Sequence, residues 1–158
     1  MAQTKTNAMR ILDSLGIKYE THHYEYNDGT IDGVSVAKKI NKPVEQVYKT
    51  LVTQGTSKEY YVFVIPVSQE LNLKAAAKSV GEKSVEMIKV SDILKITGYI
   101  RGGCSPVGMK KRYQTIIDSS CKEQDTIIVS AGKIGQQIEL EPQNLISAVN
   151  GRIEKISF

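Results

Sequence analysis

A lysine inside an apolar strand is the most informative chemical feature of this sequence. Lys49 lies within Val47-Tyr-Lys-Thr-Leu-Val-Thr53, where alternation puts it on one face with Val47 and Leu51 and puts Thr50 on the other. An amine on such a face costs free energy unless it is paired, snorkels to water or is aimed into a pocket. A second feature is Gly98-Tyr-Ile-Arg-Gly-Gly-Cys-Ser-Pro-Val-Gly108, which packs four glycines and Pro106 into eleven residues and runs into Met109-Lys-Lys-Arg112. Gly102-Gly103 lets a ligand approach the main chain, Ser105 adds a hydroxyl, and Pro106 fixes the following turn. A rigid bend of this kind with a basic tail suits an anionic or ester-bearing ligand. A tight inter-strand turn uses the same residues, so both readings stand on composition.

Other reactive side chains narrow the chemistry. His22 and His23 are adjacent on a strand and point to opposite faces, and no third His or Cys stands at ligand spacing, so a metal site is not expected. Cys104 and Cys121 form no C-x-x-C pair, and neither has an evident histidine partner; both read as small apolar thiols. Ser105 is not in a G-x-S-x-G elbow, and no Ser-His-Asp set is visible. Lys38, Lys39, Lys42, Arg101 and Lys110-Lys111-Arg112 suit phosphates but read singly as solvated charges. No series of interleaved aromatics offers a platform for reading bases.

The elements that must position these residues follow from periodicity. Helices are expected over Thr6–Leu15, Ser35–Ile40, Leu71–Val80 and Ser91–Ile96, another from Pro142 to Asn150-Gly151, and Pro43 stands at a first helical position. Strands are expected over Ile17–Tyr24, Val47–Thr53, Tyr60–Val67, Ser84–Ile88, Tyr113–Asp118, Thr126–Ser130, Gln137–Leu140 and Arg152–Phe158. Tyr60–Val67 is apolar on both faces and so is expected to be central. Strands outnumber helices and many are joined by short turns. The fold class is therefore α/β of the α+β type: one domain over residues 1–158, with a mixed, largely antiparallel sheet or partial barrel surrounded by helices. The 158 residues, 41% apolar and 24% charged, can bury a core without staples. A net charge of +4 permits a polyanionic partner without demanding one. No apolar run is long enough for a membrane helix, Met1-Ala-Gln-Thr-Lys-Thr-Asn lacks the apolar h-region of a signal peptide, and the sparse cysteines suit a reducing compartment, so a cytoplasmic protein is expected.

Four segments in order resemble a known family. Tyr48-Lys49-Thr50-Leu51, Leu71-Asn-Leu-Lys-Ala-Ala-Ala-Lys-Ser-Val-Gly81, Thr97-Gly-Tyr-Ile-Arg-Gly-Gly-Cys-Ser-Pro-Val-Gly108 and Val129-Ser-Ala-Gly-Lys-Ile-Gly135 are similar to the YbaK/EbsC aminoacyl-tRNA deacylases and to the editing domain of bacterial prolyl-tRNA synthetases. The resemblance covers nearly the whole chain and implies their barrel-like mixed α/β fold. It implies hydrolysis of mischarged tRNA, above all Cys-tRNA(Pro) and also Cys-tRNA(Cys), without cofactor or metal. The attached cysteine's own thiol would attack the ester. It places the pocket cation on Lys49 beside Thr50, the turn bordering the ester on Gly102, Gly103, Ser105 and Pro106, a serine on Ser130 with Gly132 beyond it, and a tyrosine on Tyr24. Backbone N–H groups around Gly102-Gly103 would receive the oxyanion, and Ser105 would line a wall opposite Lys49. The family commonly has an apolar residue at Cys104 and an arginine at Ile134. Two other readings accompany this one: an Ala-tRNA(Pro) deacylase that orients a water, and a non-catalytic module that binds tRNA or a synthetase such as prolyl-tRNA synthetase.

Overall fold

The computed structural model describes residues 5–158. The chain begins with α1 (Asn7–Ser14), capped by the Thr6 hydroxyl, which accepts from the Met9 N–H. β1 (Glu20–His23) and α2 (Gly33–Lys39), capped by Asp32, follow. β2 (Tyr48–Gly55) and β3 (Tyr60–Pro66) form a hairpin. Then come α3 (Leu73–Ser79), β4 (Val85–Met87), α4 (Ile93–Thr97), β5 (Gln114–Asp118), β6 (Ile127–Lys133), β7 (Gln136–Leu140), α5 (Pro142–Val149) and β8 (Arg152–Glu154). Pro43 starts only a single turn, closed by the Gln46 N–H on the Pro43 carbonyl, and not a helix. The expected last strand is also short: after Glu154 it pairs again only at Ser157, with Leu71.

Two sheets form. One is antiparallel, in the order β1-β7-β6; the other has the order β4-β2-β3-β5-β8, with β3–β5 and β5–β8 parallel and the rest antiparallel. β3 is central and its residues from Tyr61 to Pro66 are buried, as its two apolar faces require. The sheets do not close into a barrel. They touch through one parallel bridge, Val47 to Ile128, at the feet of β2 and β6.

Apolar side chains explain how the layers stack. Tyr48 and Val52 of β2, Val62 and Val64 of β3, and Ile127, Val129 and Ala131 of β6 meet under α1 and α5 in the main core. On the other face of the larger sheet, Phe63, Ile65 and Ile116 pack against Ala76 and Ala77 of α3. A third cluster joins Ala37 of α2 to Val47, Val67 and Ile128, so α2 covers the seam between the sheets. Among the described residues no helix is long and apolar enough to cross a membrane.

Candidate active site

The seam builds the site. In a parallel bridge, residues two beyond each partner stand side by side on the same faces. Lys49 is two beyond Val47, and Ser130 is two beyond Ile128. β2 and β6 pair nowhere else, and the gap between them is a cavity of about 110 Å³ lined by Tyr24, Lys49, Thr50, Gly102, Ser130 and Gln137. Val36 of α2 and Cys104 close further walls.

Polar groups in this cavity lack partners. The Tyr24 hydroxyl and Thr50 Oγ1 are buried and make no hydrogen bond. Lys49 takes part in none of the ion pairs among the described residues. Burial holds its ammonium below the ordinary lysine value, with the charge of Glu70 opposing the shift. Orphaned buried polar groups are rare and costly, so two orphaned hydroxyls beside a half-buried ammonium without an ion-pair partner point to a polar ligand.

Five residues expected at the site from sequence, Tyr24, Lys49, Thr50, Gly102 and Ser130, converge here. The other four do not line this cavity. Ser105 is fully buried, and its hydroxyl accepts from the Val107 N–H inside its own turn. It therefore forms no wall opposite Lys49. Pro106 lines a separate crevice with Ile11 and Met109. The Gly103 N–H donates to the Ile100 carbonyl at 3.0 Å and is not free to receive an oxyanion. A Cβ on Gly103 would lie 3.0 Å from the Ile134 nitrogen, so this glycine serves close packing of two loops. Gly132 donates its N–H to Ser130 Oγ at 3.1 Å and fixes the serine from behind. Of the glycine pair, Gly102 faces the cavity; its φ is +86°, and a Cβ there would fall 2.8 Å from Ile31 Cδ1. Ile134, in place of the arginine, contributes apolar contact beside Gly102.

The loop bearing Gly102 is held in shape by its own hydrogen bonds. The Tyr99 hydroxyl donates to the Val107 carbonyl at 2.6 Å, and the Thr97 hydroxyl accepts from the Tyr99 N–H at 3.0 Å. Gly98 caps α4 in the left-handed region. Lys39, read from sequence as a solvated charge, is a structural tether. Its ammonium donates to the carbonyls of Glu25 and Thr30 and to Asp28, and lies 5.8 Å over the Tyr24 ring. It thereby orders the chain that carries Tyr24.

Burial pushes the Cys104 thiol up to about 11, with a weaker opposing contribution from the Thr97 hydroxyl. At neutral pH it is protonated and a poor nucleophile. Cys104→Ala is expected to retain turnover within a few fold, read by single-turnover deacylation; loss of turnover in a stable variant contradicts the filler role.

Two features escaped the sequence reading. Gln137 pairs directly with Ser130 and, being opposite it, shares its face. The alternation of Gln137-Ile-Glu-Leu140 carried that signal once β6 and β7 were known to pair. Glu20, His22 and Glu139 also come together, with potential ligand atoms within 4.8 Å of one another. The Lys42 ammonium stands 3.6 Å from Glu139 there, and His22 already bonds the carboxylate, an arrangement that satisfies the cluster internally. A larger cleft of about 1130 Å³ lies between α1, β1 and β7 and gathers none of the expected site residues.

The sequence profile of the aminoacyl-tRNA editing domain matches residues 30–148. A protein from Enterococcus faecalis, named as a candidate Cys-tRNA(Pro)/Cys-tRNA(Cys) deacylase, EbsC, is 43% identical over 155 residues, 98% of this chain and 94% of its own length. A proline–tRNA ligase from Thermosipho africanus is 27% identical over 106 residues, 67% of this chain but 18% of that enzyme. The crystal structure of a candidate trans-editing enzyme for prolyl-tRNA synthetase has a TM-score of 0.81 at 18% identity, covering 99% of each chain. A hypothetical protein of known crystal structure has a TM-score of 0.88 at 18% identity, covering 97% of this chain and 100% of its own. At such identities these two structures speak for the fold alone.

Proposed function

The chain belongs to the aminoacyl-tRNA editing domain family, and on that premise we propose that it is a trans-editing deacylase acting on Cys-tRNA(Pro), and also on Cys-tRNA(Cys). The observation that carries this reading is the meeting of the unpaired Lys49 ammonium with the unpartnered Tyr24 and Thr50 hydroxyls in one small cavity.

An aminoacyl ester is already activated, so the site needs no protein nucleophile, and none is present in the cavity in reactive form. The thiol of the attached cysteine loses its proton, and a nearby ammonium lowers a thiol pKa. Lys49 fills that role. The thiolate sulfur attacks its own ester carbonyl; the S–C bond forms, the C–O bond breaks, and the terminal ribose oxygen of the tRNA leaves and takes up a proton. The product is a cyclic thiolactone. The Gly102 N–H, which makes no backbone hydrogen bond among the described residues, is the oxyanion donor, supported by Thr50 Oγ1. Tyr24, Ser130 and Gln137 orient the amino group and the ribose. The setting is cytoplasmic, and prolyl-tRNA synthetase is a partner consistent with the substrate.

A second reading rests on the same two orphan hydroxyls. Tyr24 and Thr50 are placed to hold a water, which would let the site cleave Ala-tRNA(Pro). Incubation with radiolabelled Cys-tRNA(Pro) and Ala-tRNA(Pro) separates the readings. Release of cysteine well above that of alanine supports substrate-assisted cleavage; preferred release of alanine supports the oriented water. Release of neither, with tRNA still bound, sinks both in favour of a binding module.

A further inference from the structure

We propose that Glu139 is a positioning residue that holds the four strands of the pocket in register; the proposal rests on the deacylase reading of the cavity. Glu139 is 9% exposed, and its carboxylate is shared by four segments of chain. His22 Nε2 of β1 lies 2.7 Å from Oε1. The Thr126 hydroxyl, at the foot of β6, donates to Oε2 at 2.5 Å. The Gln46 amide, at the foot of β2, donates to Oε2 at 3.3 Å and to Thr126 Oγ1 at 2.8 Å. Lys42 adds its charge at 3.6 Å from Oε1. Burial pushes the carboxyl up, but the Thr126 and His22 bonds and the Lys42 charge outweigh it and hold Glu139 ionised.

The segments of His22, Thr126 and Gln46, and β7 itself, each carry a wall of the cavity. His22 is two residues before Tyr24, which directly follows β1 and donates its N–H to the Gly135 carbonyl, and Glu139 is two after Gln137, an offset that keeps that pair on one face of β7. Thr126 is four residues before Ser130, again on one face. Gln46 immediately precedes Val47, and its carbonyl accepts from the Ile128 N–H at 2.9 Å, at the one bridge between the sheets among the described residues. The fork that opens the cavity is thus tied at its base by one carboxylate. A buried ionic network is weak evidence for stability, because apolar replacement is often neutral or better. What it does supply here is a fixed spacing between β2 and β6, and hence between Lys49 and Ser130.

The test uses Glu139→Gln and Thr126→Val, each with two readouts. On Cys-tRNA(Pro), kcat is expected to fall about 10- to 100-fold with KM nearly unchanged, the pattern of a misplaced reacting geometry. Independently of any substrate, reductive methylation of Lys49, followed by mass spectrometry against exposed Lys74, is expected to change rate severalfold. A network that serves only stability lowers the melting temperature and leaves both readouts of the folded protein unmoved, and that result overturns the proposal. Should Glu139→Gln fail to fold, Thr126→Val removes one bond of the network at lower structural cost and decides the question. Should the wild type release no amino acid from any tRNA, the deacylase reading fails, and Lys49 labelling alone decides the positioning role.

Discussion

Lys49→Met is expected to lower single-turnover deacylation of Cys-tRNA(Pro) by about 10²- to 10³-fold, the loss typical of removing one preorganised charge-stabilising group. Methionine keeps the length of the stem and its packing beside Val47 and removes only the ammonium. The same substitution is expected to leave the protein at least as stable. Lys49 is held below the ordinary lysine value by burial, so the folded state binds its proton less tightly than the unfolded chain does. For a lysine shifted down, the cost to folding is present at pH below the folded value. It is relieved as pH rises toward the unfolded one. Neutral pH lies on the costly side, and deleting the charge removes the cost. Activity should show the matching sign: the wild-type rate falls on the alkaline side at lower pH than a free lysine would titrate, and Lys49→Met lacks that limb. Chemical denaturation and a pH–rate profile provide the measurements. A folded, fully active Lys49→Met removes Lys49 from the mechanism.

The opposition between stability and activity proposed for Lys49 is also what made this residue stand out in the sequence. A charged group on an apolar strand breaks local consistency, and such breaks concentrate at functional sites. Thr50, Ser130 and Gly102 were expected at the site because they stand in segments that resemble a family whose profile the chain matches, whereas Tyr24 lies outside both those segments and the matched residues. Ser105 shows the limit of that approach. A hydroxyl in a glycine-rich turn can face a ligand or bond a neighbouring N–H, and Val107 supplies that N–H at 3.2 Å. Gln137 and the Glu139 network were illegible for a different reason. Gln137 depends on the register of β6 with β7, and the Glu139 network on β1 and β7 meeting across a sequence separation of 117 residues; periodicity within a strand carries no record of its partner. The centrality of β3 was readable because burial on both faces leaves a mark in composition; its parallel pairing with β5 was not, since direction is set by the crossover through α3 and α4.

Asp118 carries the second large effect, and it lies away from the cavity. It is 3% exposed, yet it accepts three backbone N–H groups: Oδ1 from Ile156 at 2.9 Å and Ser157 at 3.0 Å, and Oδ2 from Ser120 at 3.2 Å. These bonds dock the C-terminal segment. Ile156 is fully buried, its carbonyl accepts from the Asn72 N–H at 2.7 Å, and Glu70 and Phe158 exchange two bonds at 3.0 Å each. Asp118→Ala strands buried N–H groups and leaves a small void, so it is expected to destabilise by about 3–5 kcal/mol in urea. Burial alone would push this carboxyl up, but the bonds from Ser120, Ile156 and Ser157 outweigh it and hold the group below the usual aspartate range. A carboxylate held low contributes stability above its unfolded value, near pH 4, and loses it as pH falls through the lower folded value. The wild type should therefore lose stability in acid along a limb that Asp118→Asn flattens, because an amide cannot titrate. At neutral pH Asp118→Asn should also be weaker than the wild type, since a neutral acceptor makes weaker bonds than a carboxylate. A loss under about 1 kcal/mol for Asp118→Ala means that Ile156 packing and the Glu70–Phe158 exchange hold the terminus without it.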